Sequence, residues 1–202
     1  MAEKPNAPAT ERNREAILQV LQEEFRDVRS VLEIGSGTGQ HAVWFARAMV
    51  YLTWQCSDRE MNHAGINGWI TDAGLENVLP PLALDVQDSG QLNASYAAVF
   101  SANTAHIMSF PAVECMFNIV GSCLTEGGKF CLYGPFNQNG AFSSPSNEKF
   151  DASLKSQDES MGIRDLEDLD ALAETSGMSR VRLYAMPANN NLVVWQKVTA
   201  VV

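Results

Sequence analysis

A beat of short apolar runs and helical segments, broken only at its end, constrains this fold more than any other feature of the chain. "SVLEI", "LTWQCS", "PPLALDV", "YAAVFSA" and "GKFCLYG" read as strands, and "QHAVWFARAMV", "INGWITDAG" and "PAVECMFNIVGSC" carry helical spacing between them. Strands that alternate with helices pair in parallel, with helices on both faces of the sheet. At the end, "RVRLYAMPA" and "NLVVWQKV" are separated only by "NN", which leaves no room for a crossover helix. Strands joined that tightly run antiparallel. The expectation is an α/β fold with a seven-stranded, mostly parallel sheet closed by an antiparallel last strand.

A chain of 202 residues fits one domain with a sizeable core. Residues 1–9, polar and rich in Pro and Ala, read as frayed. "TERNREAILQVLQEEF" sets Ile17, Val20, Leu21 and Phe25 on one face, which predicts a helix at about 11–25 with Thr10 as its N-cap. The stretch 136–162 is rich in Asn, Ser, Gly and acids and is long for a connection; it reads as an inserted lid, with "NEKFDASLKSQ" as a short helix. "DLEDLDALAETSG" follows as a helix closed by Gly177.

Charge and composition narrow the partners. Asp and Glu number 24 against 14 Lys and Arg, a formal charge of −10, which repels nucleic acid in the absence of a local basic patch. A small molecule or a protein is the expected partner. No apolar run approaches the roughly 20 residues of a membrane helix, and "MAEKPNAPATERNRE" has no apolar signal core, so a cytoplasmic location is expected. The four cysteines form no C-x-x-C pair and read as buried thiols, with no metal site expected.

The turn "VLEIGSGTGQH" at 31–41 carries the first chemical clue. Dinucleotide folds use G-x-G-x-x-G, whereas Gly35, Gly37 and Gly39 are spaced two and two and position 40 is Gln40. Glycines let backbone approach a ligand closely, and the helix that begins near Gln40 offers free N–H groups to a carboxylate or a phosphate. Glu33, two residues before the first glycine, suits an ammonium group. A ligand with both groups is an amino acid, and S-adenosylmethionine carries one. Asp58 in "CSDRE" then lies where ribose hydroxyls are gripped, and Asp85 in "ALDV" where an adenine amino group is met.

With "LEIGSGTG", "SD" and "LDV", the chain resembles the class I S-adenosylmethionine-dependent methyltransferases, and most closely an uncharacterised methyltransferase-like family once designated a domain of unknown function. "RNREAIL", "EIGSGTGQHAVWFA", "LTWQCSD", "NTAHI", "LYGPF", "SNEKFDASL", "GIRDLEDL" and "MPANN" carry the closer likeness, from Arg12 to Trp195. The resemblance implies a Rossmann-like three-layer sandwich with six parallel strands and an antiparallel seventh. It implies S-adenosylmethionine as cofactor, S-adenosylhomocysteine as product, and Glu33, Gly35, Ser36, Gly37, Gly39, His41, Asp58, Asp85 and Asn103 as the cofactor set. It also suggests that Arg12 and Asn13 close over the cofactor. In place of the common "L-x-P-G-G" before the fifth strand the chain has "LTEGG", read as a structural turn.

Methyl transfer needs an aligned acceptor and, for some acceptors, a base. The fourth strand delivers "SANTAHIM" to the ligand edge, which makes Asn103 and His106 candidates, with His106 the base because an unperturbed imidazole titrates near neutrality. From the fifth strand, Tyr133 is placed to bond or stack on an acceptor and Asn137 to orient one. The Asn189–Asn191 run reaches the same edge. His63 reads as a surface residue without a partner, and Trp44, Trp54 and Trp69 as core or sheet-face residues. Two alternatives accompany the enzyme: a non-catalytic module that binds S-adenosylmethionine and regulates a partner, and an NAD-linked oxidoreductase.

Overall fold

The structure, a computed structural model, describes residues 4–88 and 92–198. Its elements are α1 (Pro8–Glu24), β1 (Ser30–Ile34), α2 (Gln40–Ala48), β2 (Thr53–Asp58), α3 (His63–Ala73), β3 (Val78–Ala83), β4 (Tyr96–Ala102), α4 (Phe110–Cys123), β5 (Leu124–Gly134), β6 (Phe136–Asn137), α5 (Pro145–Gln157), β7 (Arg164–Asp165), α6 (Leu166–Thr175), β8 (Met178–Met186) and β9 (Asn190–Lys197). Seven strands form one sheet in the order β3-β2-β1-β4-β5-β9-β8, and β6 pairs with β7 in a separate two-residue ladder. β1 to β5 are parallel, whereas β9 runs antiparallel to both β5 and β8. Six strands therefore share one direction and the last opposes them, as the closing "NN" implied.

Period-two alternation divides the core into two layers. Along β5, Phe130 and Leu132 face the cluster built with α4 and α6, while Cys131 and Tyr133 face the cluster built with α1, α2 and α3. All the β1–β5 strands end at one edge. Between β1 and β4 the strand order reverses, and open parallel sheets bind ligands at that point.

Several boundaries differ from the sequence expectation. Helix α1 begins at Pro8, whose fixed φ suits a first turn, and its N-cap is Ala7 without a side-chain bond; Thr10 is buried inside the helix and is not the cap. Of the stretch read as frayed, residues 1–3 lie outside the described residues, and residues 4–9 are held in place. The Ala7 amide donates to Gln40 Oε1 at 2.6 Å, Gln40 Nε2 donates to Asn6 Oδ1 at 2.7 Å, and Trp69 Nε1 donates to the Pro5 carbonyl at 2.8 Å. Strand β3 ends at Ala83 and carries Pro80 and Pro81 within it, which its edge position tolerates. Asp85 thus lies beyond the strand. "LTEGG" is not a turn ahead of β5 but its first part, absorbed by a register shift against Tyr96–Ala98. Gly177 closes α6 at φ 74°, as expected.

The 136–162 stretch is ordered and extends to Asp165 through the β6–β7 ladder. Ser144 caps α5 by accepting from the Asn147 amide. Among the described residues no helix is long and apolar enough to cross a membrane.

Candidate active site

The glycine turn is fastened to β2. The Gly35 and Ser36 amides both donate to the Ser57 carbonyl at 3.0 Å, and Asp58 Oδ2 accepts from the Gly37 amide at 2.7 Å. Two glycines show the two demands on the turn. Gly35 has φ 74°, and a Cβ there would lie 2.7 Å from Thr104 Cγ2, so the β4–α4 connection packs directly on its backbone. Gly37 has φ 58°, and nothing lies within 4 Å of where its Cβ would be. The turn is packed on one side and open on the other. Gly39 is the left-handed N-cap of α2; the Gln40 amide donates to Thr38 Oγ1 at 3.4 Å, and the first-turn amides after it, with no side chain capping them, are the ones available to an anion.

Glu33 faces the α1–α3 layer and is 2% exposed. Its carboxyl accepts from Trp54 Nε1 at 3.1 Å and from the Ser36 hydroxyl, and no cation among the described residues pairs with it. Burial pushes its pKa up to about 7; the two hydrogen bonds pull down and the Asp58 charge adds to the rise. Asp58, also buried, accepts through Oδ1 from the Arg59 amide and from Asn62 Nδ2, each at 2.7 Å. With the Gly37 bond it holds three donors, against the roughly four acceptor positions of a carboxylate. His63 is not partnerless: its Nε2 bonds the Asp58 carbonyl at 2.9 Å. Asp85, half-buried past β3, accepts from the Gln87 amide at 3.1 Å.

His41 opens α2 and is buried, stacked on Phe45 with ring centroids 5.0 Å apart. Burial, with the nearby Arg14 charge, pushes its pKa down to about 3, so the ring is neutral. Its Nε2 lies 2.8 Å from Asn13 Oδ1, and Asn13 also hydrogen-bonds the Tyr133 hydroxyl. With the Oδ1 facing His41, the amide N–H₂ is the group that meets Tyr133. A chain of bonds thus runs from α2 through α1 to β5. Burial raises the Tyr133 pKa and keeps the phenol protonated. Arg12, which the resemblance coupled with Asn13, is on the exposed side of α1.

Asn103 follows β4 at φ 59°, a left-handed position that Asn adopts more readily than most residues, and its amide donates to the Tyr133 carbonyl at 2.9 Å. His106 is buried, with its ring 5.3 Å from Phe150 of α5 in an edge-to-face contact. Burial first, then the Arg164 charge, pushes its pKa down to about 4, well below the near-neutral value expected for a free imidazole. Arg164 Nε donates to the Ala105 carbonyl at 3.1 Å, and its NH2 donates to the Ser160 carbonyl at 2.8 Å and to the Met108 carbonyl. The Gly162 amide donates to the His106 carbonyl. Segment 136–165 is therefore pinned to the loop that bears His106.

The β8–β9 hairpin turns at Ala188 and Asn189, both at positive φ, the pattern of a type I′ turn. It docks on the start of α5: Asn147 Nδ2 donates to the Asn189 carbonyl at 3.0 Å and Asn189 Nδ2 to Ser146 Oγ at 3.1 Å. Asn137 is buried, and its Oδ1 has no hydrogen-bond partner among the described residues. Trp54 is core, Trp44 is half-buried on α2 and packs against the same cluster, and Trp69 is half-buried on α3 outside it. Sequence reasoning did not reach Thr104, Trp54, Arg164 or Phe150 as parts of the site, because only long-range packing gives them their roles.

Residues 4–197 match the family described as "Protein of unknown function (DUF938)". The chain belongs to this family. Among solved structures it is similar to the S-adenosylmethionine-dependent methyltransferase SibL in its apo form, with a TM-score of 0.78 and 21% identity over 94% of this chain and 56% of that one. It is similar to NcsB1, an O-methyltransferase from neocarzinostatin biosynthesis in complex with S-adenosylmethionine and 2-hydroxy-5-methyl naphthoic acid, with a TM-score of 0.78 and 14% identity over 94% and 55% of the two chains. An O-methyltransferase family protein from Burkholderia thailandensis has a TM-score of 0.78 and 12% identity over 93% and 59%. The chain spans a little over half the length of these structures. At such identities the likeness establishes the fold: this DUF938 chain has the class I methyltransferase fold.

Proposed function

We propose that this chain binds S-adenosylmethionine where β1 and β4 part and transfers its methyl group to a small-molecule acceptor beneath segment 136–165. The observation that carries the reading is Glu33, a buried carboxyl without a cation partner among the described residues, set under a glycine turn whose Gly37 opens outward. Burying such a group disfavours its charged form unless a ligand brings positive charge. The residues present fit the cofactor. Glu33 would meet an ammonium, the first turn of α2 a carboxylate, Asp58 with its remaining acceptor position a ribose hydroxyl, and Asp85 an adenine amino group.

When bound, S-adenosylmethionine supplies an electrophilic methyl group on a sulfonium. The chain's own residues set the surroundings. Asn13 donates to the Tyr133 oxygen, so the Tyr133 proton is left to point at another acceptor. His41, held neutral, fixes the Asn13 amide in that orientation. His106, also neutral, offers a lone pair for the acceptor's proton, with Phe150 against its ring and the segment around Arg164 pinned to its loop. The solved neighbours that carry O-methyltransferase names, one of them with an aromatic hydroxy acid bound, support a small-molecule acceptor. Its four free cysteines suit a cytoplasmic setting.

The test is release of S-adenosylhomocysteine by the protein mixed with fractions of cell extract. One fraction is expected to support turnover, and His106→Ala to keep cofactor binding while transfer slows. Wild-type turnover in that variant would remove His106 as the base. Cofactor binding without turnover in any fraction would favour the non-catalytic module.

A further inference from the structure

On the cofactor reading above, we propose that residues 4–7 form a strap whose docking on α2 and α3 is coupled to S-adenosylmethionine binding, so that each strengthens the other. The strap has no helix or strand of its own and leads directly into α1 at Pro8. Its contacts to α2 and α3 hold it in place.

Helix α3 is shaped to receive it. A Cβ at Gly65 would lie 2.6 Å from Pro5 Cγ and 3.1 Å from Pro5 Cδ, and one at Gly68 would lie 3.5 Å from Lys4 Cγ. Neither glycine has a positive φ, so helix geometry does not ask for them, and alanine would suit the helix better. What Gly65 makes room for is Pro5. Trp69 Nε1 donates to the Pro5 carbonyl at 2.8 Å, and the Lys4 ammonium lies 4.5 Å from the centre of the Trp69 ring and pairs with Asp72. That ion pair is exposed, and such pairs hold weakly.

The other end of the strap reaches the glycine turn. Gln40, the buried first residue of α2, accepts from the Ala7 amide at 2.6 Å and donates to Asn6 Oδ1 at 2.7 Å. The same Gln40 Oε1 accepts from the Thr38 hydroxyl at 2.9 Å, and the Gln40 amide donates back to that hydroxyl at 3.4 Å. Undocking takes both strap partners from Gln40 and loosens its hold on Thr38, between Gly37 and Gly39. Helix α3 packs on the same turn, since a Cβ at Gly39 would lie 3.0 Å from Ile66 Cα. At the start of α3, Asn62 and His63 bond Asp58. The strap therefore ties together the two parts of the site assigned to the cofactor's carboxylate and ribose. A ligand that grips both favours the docked state, and by linkage docking favours the ligand. A short segment with no ladder of its own opens at less cost than the core, so both states are within reach.

Hydrogen exchange provides the test. The Ala7 amide and the Trp69 indole N–H report docking, and the Trp195 indole, which donates to Asp170, reports that the fold is intact. Saturating S-adenosylmethionine is expected to slow exchange at Ala7 and Trp69 by about fivefold or more. Gly65→Ala puts a methyl group where Pro5 sits, in a helix that favours alanine. It is expected to free the Trp69 N–H, keep the Trp195 signal and weaken S-adenosylmethionine by about fivefold. Adding Pro5→Ala makes room for that methyl and should restore most of the affinity. Unaltered exchange at Ala7 and Trp69 in the cofactor-saturated wild type would overturn the coupling, as would full affinity in a variant whose Trp69 N–H is freed. A wild type that does not bind S-adenosylmethionine would overturn the cofactor reading itself.

Discussion

On the β1–β2 side of the ligand edge the site is made by backbone: the amides of Gly35, Ser36 and Gly37 fold onto Ser57 and Asp58 within 25 residues of chain. On the β4–β5 side it is made by side chains that reach far along the sequence. Arg164 ties to residues 105 and 108, Asn147 to Asn189, and Asn13 to His41 and Tyr133. In the proposed function the first half holds the cofactor against the glycine turn, and the second half, assembled from separate segments, is the part that meets the acceptor.

The sharpest break in that contrast comes from the glycines. Gly35→Val places a side chain against Thr104 at a positive φ and is expected to cost more than about 3 kcal/mol, read as a fall in thermal stability. Gly37→Ala meets only the backbone strain, about 1–2 kcal/mol, but fills the open side and should cost more in cofactor affinity than in stability. Equal stability losses would erase the distinction between the packed and open sides.

Glu33 comes next. Its folded pKa of about 7 lies above the ordinary 4.5, so the folded state holds the proton more tightly than the unfolded chain. Its contribution is present below pH 4.5, lost as pH rises toward 7, and absent above, a loss of about 3 kcal/mol. Glu33→Gln should remove that fall, so that the ligand-free variant is more stable than wild type at pH 8 but binds S-adenosylmethionine more weakly. Denaturant titrations at pH 5 and pH 8 check the first part and calorimetry the second.

On the side-chain half, Arg164→Gln leaves the carbonyls of Ala105, Met108 and Ser160 without their donor and should cost about 2 kcal/mol. The damage should be local: faster proteolysis within 138–162, with cofactor affinity kept. Cofactor affinity lost in parallel would mean that the two halves are one unit. Asp58→Ala is expected to weaken cofactor binding by more than about 1 kcal/mol, and it also leaves the Gly37 and Arg59 amides and Asn62 Nδ2 without their acceptor. Unchanged affinity would move the ribose contact elsewhere.

The same division explains what the sequence made legible. The strand beat, the closing hairpin, the two-and-two glycine spacing and Asp58 at the end of β2 are local patterns, and the structure holds each where its pattern put it. Asp85 shows the limit, because "PPLALDV" does not reveal that an edge strand carrying two prolines stops at Ala83. The rise of Glu33 and the fall of His106 from ordinary pKa values come from burial, which a sequence does not display. Arg164 and Phe150 acquire their roles only when α5 and β7 fold back over the β4–α4 loop. The order of residues 4–9 depends on Gln40 and Trp69, both more than 30 positions away.

Calorimetric titration of the wild-type protein with S-adenosylmethionine, and separately with NADH, tests the central claim most directly. The account predicts saturable binding of S-adenosylmethionine, weakened by Asp58→Ala, and no heat from NADH. Binding of NADH with no response to S-adenosylmethionine would contradict it.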